Sequence, residues 1–328
     1  MPRPEKQTDV KKILAADIGG THARFGFFEA DPKAGLSLTA VNWLETKKSA
    51  SFAELIKALV KSDFPLAPKD ADAVVIAIAG PVEAGVRSDP PNISWNIDLS
   101  NAPNDFGFKR FFLINDFTAQ AYACRSKVME DASQILPGKI DLGAAAAVIG
   151  AGTGLGKAAL APDGHGGYVA LPTEGGHSLF PFVTDREFEF FRFVQKTTGK
   201  ELVIGDMVVS GGGLSLLHLF LTGENLSPAK VAATFSPRSE TLAWAARFYG
   251  RTCRNFALET LAMGGVYVTG GVAAKTPVLV THEIFAKEFR HSETHGELLR
   301  NIPVFLNVNQ DSGLWGAAFL GQQKLARP

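Results

Sequence analysis

Cysteine is nearly absent from this chain, an excess of either charge is absent altogether, and long apolar runs do not occur. Only Cys124 and Cys253 stand in 328 residues, far apart in sequence. That excludes a disulfide framework and suits reduced thiols in a cytoplasmic protein. Lys plus Arg and Asp plus Glu each number 33. Such a surface lacks the single-sign field that draws a protein to nucleic acid or to an anionic membrane, so neither is an expected partner. No apolar run approaches the roughly 20 residues needed to span a bilayer. The opening Met1 to Lys12 is polar, without the apolar stretch of a signal peptide. Roughly the first ten residues are expected to lack order.

What is present is apolar bulk and glycine. Hydrophobic residues make up 46% of the chain, enough for a full core, and the length argues for roughly two domains. Two glycine turns, Asp17-Ile18-Gly19-Gly20-Thr21 and Gly150-Ala151-Gly152-Thr153-Gly154-Leu155-Gly156, each follow an apolar run and lead into another strand-like segment. A turn stripped of side chains lets backbone N–H groups close on an anion, so phosphate binding is the first expectation.

The pattern around the turns is duplicated. Ile13 to Ala16 and Arg24 to Glu29 read as a hairpin, and so do Ala144 to Ile149 and Lys157 to Ala161. Further strands are expected at Ala73 to Ala79, Arg110 to Ile114 and Gly265 to Thr269. Helices are expected at Ser51 to Lys61 with Ser51 as cap, Phe117 to Arg125, Asp185 to Gln195, Ser215 to Leu221 and Glu240 to Ala262. Strands separated by helices, opened twice by a hairpin, indicate an α/β fold of two duplicated domains.

Neither common nucleotide motif fits the second turn. A Walker-type loop fails because Ala151 stands where its first glycine belongs and Ala158 where Ser or Thr should follow Lys157. A dinucleotide fingerprint must open a long helix, and Pro162-Asp163-Gly164 interrupts after a few residues.

Six segments occur in a telling order: Asp17 to Arg24, Ile114-Asn115-Asp116-Phe117, the second glycine turn, Glu174-Gly175-Gly176-His177, Ser210-Gly211-Gly212-Gly213-Leu214 and Thr269-Gly270-Gly271. Together they resemble the bacterial glucokinases, within the sugar kinase, actin and heat-shock-chaperone superfamily, from about residue 13 to residue 321. The resemblance implies two ribonuclease H-like, actin-type ATPase domains with a ligand cleft between them. Residues 1–126 plus 312–328 would form the smaller domain and 127–311 the larger. The implied reaction is ATP-dependent phosphorylation of glucose at its 6-hydroxyl.

The same resemblance assigns roles. Gly19, Gly20, Thr21, Gly152, Thr153 and Gly154 would face the β- and γ-phosphates, with Arg24 nearby. Asp17 would approach the ATP-bound Mg²⁺ through water, since that ion sheds its waters reluctantly. Asp116 would be the catalytic base; read alone, an Asp before Phe-Thr-Ala-Gln is equally a helix cap. Asn92, Asn115, Glu174 and His177 would hold the sugar, although a Glu-Gly-Gly-His turn alone reads as a surface loop. Asp206 stands where the family usually has a glutamate sugar ligand, one methylene longer, with Glu201 a poorer candidate. Ser210, Gly211, Gly270 and Gly271 would flank the adenosine, with Ser210 to Leu214 opening the helix at Ser215 and a flexible loop the alternative for the triple glycine. Zinc is not expected, because His177 has no cysteine near it and His291 with His295 lack further ligands. A homodimer is common in the family. A kinase for mannose, glucosamine or fructose, a non-catalytic sugar sensor and an actin-like ATPase are the alternatives.

Overall fold

Continuous apolar runs make the central strands. In the computed structural model, which describes residues 10–327, the chain forms two compact units, Met1–Glu130 with Gln310–Pro328, and Asp131–Asn309. The expectation of disorder for the first ten residues falls outside the described residues except at Val10.

The first unit opens with β1 (Lys11–Ile18), β2 (His22–Asp31) and β3 (Gly35–Glu45), a meander of antiparallel strands. α1 (Phe52–Lys61) follows, with Ser51 accepting from the Glu54 N–H as its cap. β4 (Ala73–Ile78) and β5 (Phe111–Asn115) then add in parallel to give the order β3-β2-β1-β4-β5. β1 is buried on both faces, which is why it reads as an unbroken apolar run. Leu14, Ala16 and Ile18 join Leu55, Leu59 and Phe108 on one side. On the other lie α2 (Asp116–Ala123) and the C-terminal helix Ser312–Leu325, where Trp315 meets Phe28 edge to face at 5.1 Å.

The C-terminal helix approaches that closely because glycine lets it. A Cβ on Gly316 would fall on the Ala119 carbonyl oxygen of α2, and one on Gly321 would lie 2.9 Å from Ile13 Cγ2. Gly316→Ala is therefore expected to lower stability by about 2–3 kcal/mol, as overpacking does. Urea unfolding should show it as a lower midpoint with unchanged slope.

The second unit repeats the plan. Elements β6 (Ser133–Leu136), β7 (Ala146–Ala151), β8 (Leu155–Pro162), β9 (Tyr168–Thr173), β10 (Val266–Thr269) and β11 (Val304–Leu306) take the order β9-β8-β7-β10-β11-β6. Its first five strands run β9-β8-β7-β10-β11, with the antiparallel and parallel pairings of the first unit. The helices α3 (Asp185–Thr198), α4 (Gly211–Thr222), α5 (Glu240–Glu259) and α6 (Glu283–Phe289) carry many of the phenylalanines. Phe190, Phe220, Phe248 and Trp244 pack into one aromatic cluster there.

Three sequence expectations shift. The edge strands β3 and β9 are not among the expected strands: β3 alternates between half-buried and exposed residues, and β9 is exposed at four of its six positions. The helix expected over Ser215 to Leu221 starts earlier: Gly211 to Gly213 are the first turn of α4, capped by Ser210, which accepts from the Gly213 N–H at 3.1 Å. α5 stops at Glu259 rather than Ala262. No helix among the described residues is long and apolar enough to cross a membrane.

Candidate active site

The first glycine turn closes the β1–β2 hairpin. Its Gly19 N–H is spent inside the turn on the His22 carbonyl at 3.0 Å, so Gly19 cannot offer that amide to a phosphate. The Gly20 and Thr21 N–H groups carry no partner among the described residues. Thr46, buried beyond the end of β3, ties the turn down: its hydroxyl donates to the Gly19 carbonyl at 2.7 Å and its N–H to the Thr21 carbonyl at 3.0 Å. Nothing in the sequence marked Thr46, since β3 brings it there only by pairing. Asn92 lies against Gly20, where a Cβ would come within 2.8 Å of the Asn92 carbonyl oxygen.

Asp17 and Arg24 form an ion pair across the β1–β2 register, and Arg24 also donates to the Gln310 carbonyl and covers the Trp43 ring at 5.2 Å. Arg24 is thus committed to the fold. Burial pushes the Asp17 carboxyl up, Arg24 pulls it down, and Asp311 adds to the rise. Gly313, in the first turn of the C-terminal helix, packs against Asp17, where a Cβ would stand 2.5 Å from Oδ2. Among the described residues no group of three or more His, Cys, Asp or Glu side chains is arranged to hold a metal ion.

At the end of β5 the capping question has a definite answer. Asn115, not Asp116, is the cap: its Oδ1 accepts from Phe117 N at 2.8 Å and Thr118 N at 3.3 Å, while its Nδ2 donates to the Gly80 carbonyl at 2.9 Å. Its amide is therefore occupied. Asp116 is the first helical residue, half-buried, with Oδ1 accepting from Phe117 N at 2.9 Å. It sits at the carboxyl end of a parallel strand, where ligands of open α/β sheets collect.

The second glycine turn joins β7 to β8. Here too one amide is used internally, Gly152 N–H donating to the Gly154 carbonyl at 2.7 Å; Thr153 and Gly154 N–H carry no partner among the described residues. The turn is clamped from several sides. Gly211 N–H donates to the Gly152 carbonyl at 2.9 Å, tying the start of α4 to the turn. Ala151 N–H donates to the buried Tyr249 hydroxyl at 3.3 Å. Gly270, at φ 89°, reaches Ala151 where a Cβ would come within 2.6 Å of its carbonyl oxygen. Only glycine combines that backbone angle with that contact.

Asp206 Oδ1 accepts from the Leu155 N–H at 2.5 Å. The residue expected to grip a sugar therefore has one oxygen anchoring the turn, and its short side chain suits that reach. Glu201 is exposed, with its carbonyl accepting from Gln195 at 2.6 Å.

The Glu174 to His177 segment is a short 3₁₀ turn pressed onto β8. A Cβ on Gly176 would fall on the Leu155 carbonyl, and Gly175 N–H donates to Thr173 Oγ1, which donates to the Lys157 carbonyl. The backbone is pinned while Glu174 and His177 stay two-thirds exposed, their Oε2 and Nε2 3.9 Å apart. Beneath lies Lys157, 9% exposed, with its ammonium 5.5 Å from the Phe256 ring centre. Burial pushes that ammonium below its ordinary range, against Glu259. A Lys between Gly156 and Ala158 gave no sign in sequence of facing inward.

The family model described as glucokinase matches residues 14–324. A glucokinase of Sinorhizobium medicae is 30% identical, covering 97% of this chain and 94% of its own. Among solved structures, the glucokinase from an Antarctic psychrotroph superposes with a TM-score of 0.82 at 26% identity, covering 94% of this chain and 98% of that one. A Streptomyces griseus glucokinase of the ROK family, solved with glucose and AMPPNP, shares the fold at a TM-score of 0.58 and 18% identity, covering 95% and 99%.

Proposed function

This chain belongs to the glucokinase family, the glucose-phosphorylating sugar kinases, and from that premise we propose that it transfers the terminal phosphoryl group of Mg·ATP to the 6-hydroxyl of glucose. The observation that carries the reading is the end of β5. Asn115 caps the helix through Phe117 N and Thr118 N, and Asp116 stands half-buried as the first helical residue at the carboxyl end of the parallel strand β5, the position we assign to the base that takes the 6-hydroxyl proton.

Phosphoryl transfer asks little covalent work of a protein and much positioning and charge neutralisation. The amides of Gly20, Thr21, Thr153 and Gly154, with the two threonine hydroxyls, are the donors for the phosphates. Each turn is fixed by its neighbours, so the donors are set before the ligand arrives, and such preorganised dipoles stabilise developing charge. Asp17 would meet the Mg²⁺ of the nucleotide through water. Ser210, Gly211, Gly270 and Gly271 would flank the adenosine. Asn92, Glu174 and His177 would pair with sugar hydroxyls, which is how a polar site rejects a sugar lacking one. Asn115 serves by holding Asp116. The protein is proposed to act in the cytoplasm, as a homodimer.

The test is ADP release with Mg·ATP against a panel of hexoses and no sugar. Strong stimulation by glucose supports the reading, stimulation by mannose, glucosamine or fructose alone moves the substrate, and no stimulation by any sugar refutes it. Asp206 gives a sharper check. Asp206→Ala leaves the Leu155 N–H without its acceptor, and loosening the turn should raise KM for ATP about tenfold, the size of one charged hydrogen bond. A rise confined to KM for glucose would instead make Asp206 a sugar ligand.

A further inference from the structure

Away from the glycine turns, the second unit contains a cavity of about 570 Å³ between the start of α3, the middle of α5 and the end of α6. Arg247, Arg251 and Arg254 lie four and three residues apart on α5, hence on one face, and all three line it. Arg251 is buried and fully used: its two terminal nitrogens hold Glu187 at 2.6 and 3.0 Å, and its Nε donates to Glu288 at 2.8 Å. Glu187 Oε2 also accepts from Val183 N–H at 2.8 Å and Glu288 Oε1 from Arg254 at 3.1 Å. Both carboxylates of the lining are thus neutralised from within.

Three guanidinium groups set against two carboxylates leave one positive charge over. The group in excess is Arg247, half-buried, 5.8 Å from the Trp244 ring centre and without a hydrogen bond or ion pair among the described residues. Thr184 caps α3 at the same wall, accepting from Glu187 N at 3.3 Å, so the positive end of that helix faces the cavity as well. Asn255 and His291 complete a lining rich in donors.

We propose that this cavity is a second binding site, for a small anion bearing a phosphoryl group. A planar guanidinium pairs two phosphoryl oxygens at once. The paired carboxylates keep the arginines in place without repelling the ligand strongly, and the volume admits a phosphoryl group with a small organic body. Free phosphate and a sugar phosphate share this chemistry.

The full-length protein, with glucose and a non-hydrolysable ATP analogue present in excess, is titrated calorimetrically with inorganic phosphate and, separately, with glucose 6-phosphate. Saturable binding is expected. It should weaken at least about tenfold in Arg247→Gln, which removes a charge-assisted pair, and likewise in Ser292→Glu, which adds a negative charge to the lining. Phosphate bound as tightly as the sugar phosphate would identify a free-ion site; a strong preference for the sugar phosphate would identify an organic ligand. Glucose phosphorylation at saturating substrates should be unchanged in both variants. Absence of saturable binding by either ligand, or native affinity in both variants, would overturn the proposal. Because the variants lie outside the glycine turns, the result reads independently of whether the chain phosphorylates glucose.

Discussion

Asp116→Asn is expected to lower kcat by about 10²–10⁴-fold, the usual worth of a general base, while glucose still binds. The substitution isolates the proposed proton acceptor because Asn115 already caps the helix through Phe117 N and Thr118 N. The amide that replaces the carboxylate keeps an oxygen facing the Phe117 N–H, so the start of α2 should survive. Glucose affinity, followed by intrinsic tryptophan fluorescence, should change by only a few-fold; single-turnover kinetics should show the loss in the chemical step. An unchanged rate would remove Asp116 from the mechanism, and lost glucose binding with a normal melting profile would make it a sugar ligand first.

The second large effect concerns stability. Glu187 is fully buried and Arg251 nearly so, and the pair is bidentate. Glu187→Ala strands the Arg251 guanidinium and removes the acceptor of Val183 N–H, so a loss of about 3–5 kcal/mol is expected, as when one partner of a buried pair is deleted. Urea unfolding measures it, and a change below about 1 kcal/mol would show that Glu288 suffices for Arg251. The pH dependence has a definite sign. Burial works to raise the Glu187 carboxyl, but hydrogen bonds from Arg251 and Val183 and the Arg251 charge outweigh it and hold the group below its ordinary value of 4.5. A folded value below the unfolded one means the stabilisation is complete above pH 4.5 and is lost as pH falls through the lower folded value. As pH falls below 4.5 the native protein should therefore lose more stability than Glu187→Ala does, as urea unfolding at a series of acid pH values would show.

Legibility in the sequence followed burial. β1, β4 and β7 are covered on both faces, so their apolar runs announced them. β3 and β9 are edge strands whose exposed positions, including Trp43 and Leu171, dilute the pattern. The glycine turns stood out because side-chain absence is visible in a string of letters. What a given amide does is not visible: Gly19 and Gly152 spend theirs within the turns. Thr46, Tyr249 and Lys157 support the turns and the Glu174 segment from far away in sequence, and only pairing and packing bring them close. The Asn115-Asp116 pair shows the limit at a single step, since either residue type caps a helix and only the backbone angles decide between them.

The path of the chain through its first unit has a consequence for biosynthesis. The second unit is a continuous stretch of polypeptide, whereas the first lacks the helix over β1 and β4 until Ser312–Leu325 has been made. On the ribosome the earliest residues must therefore wait for the latest, and the later-encoded unit can finish before the one whose synthesis began first, reversing the usual vectorial order. During that interval Ile13 and Val75, which Gly321 will cover, remain open to water and to chaperones.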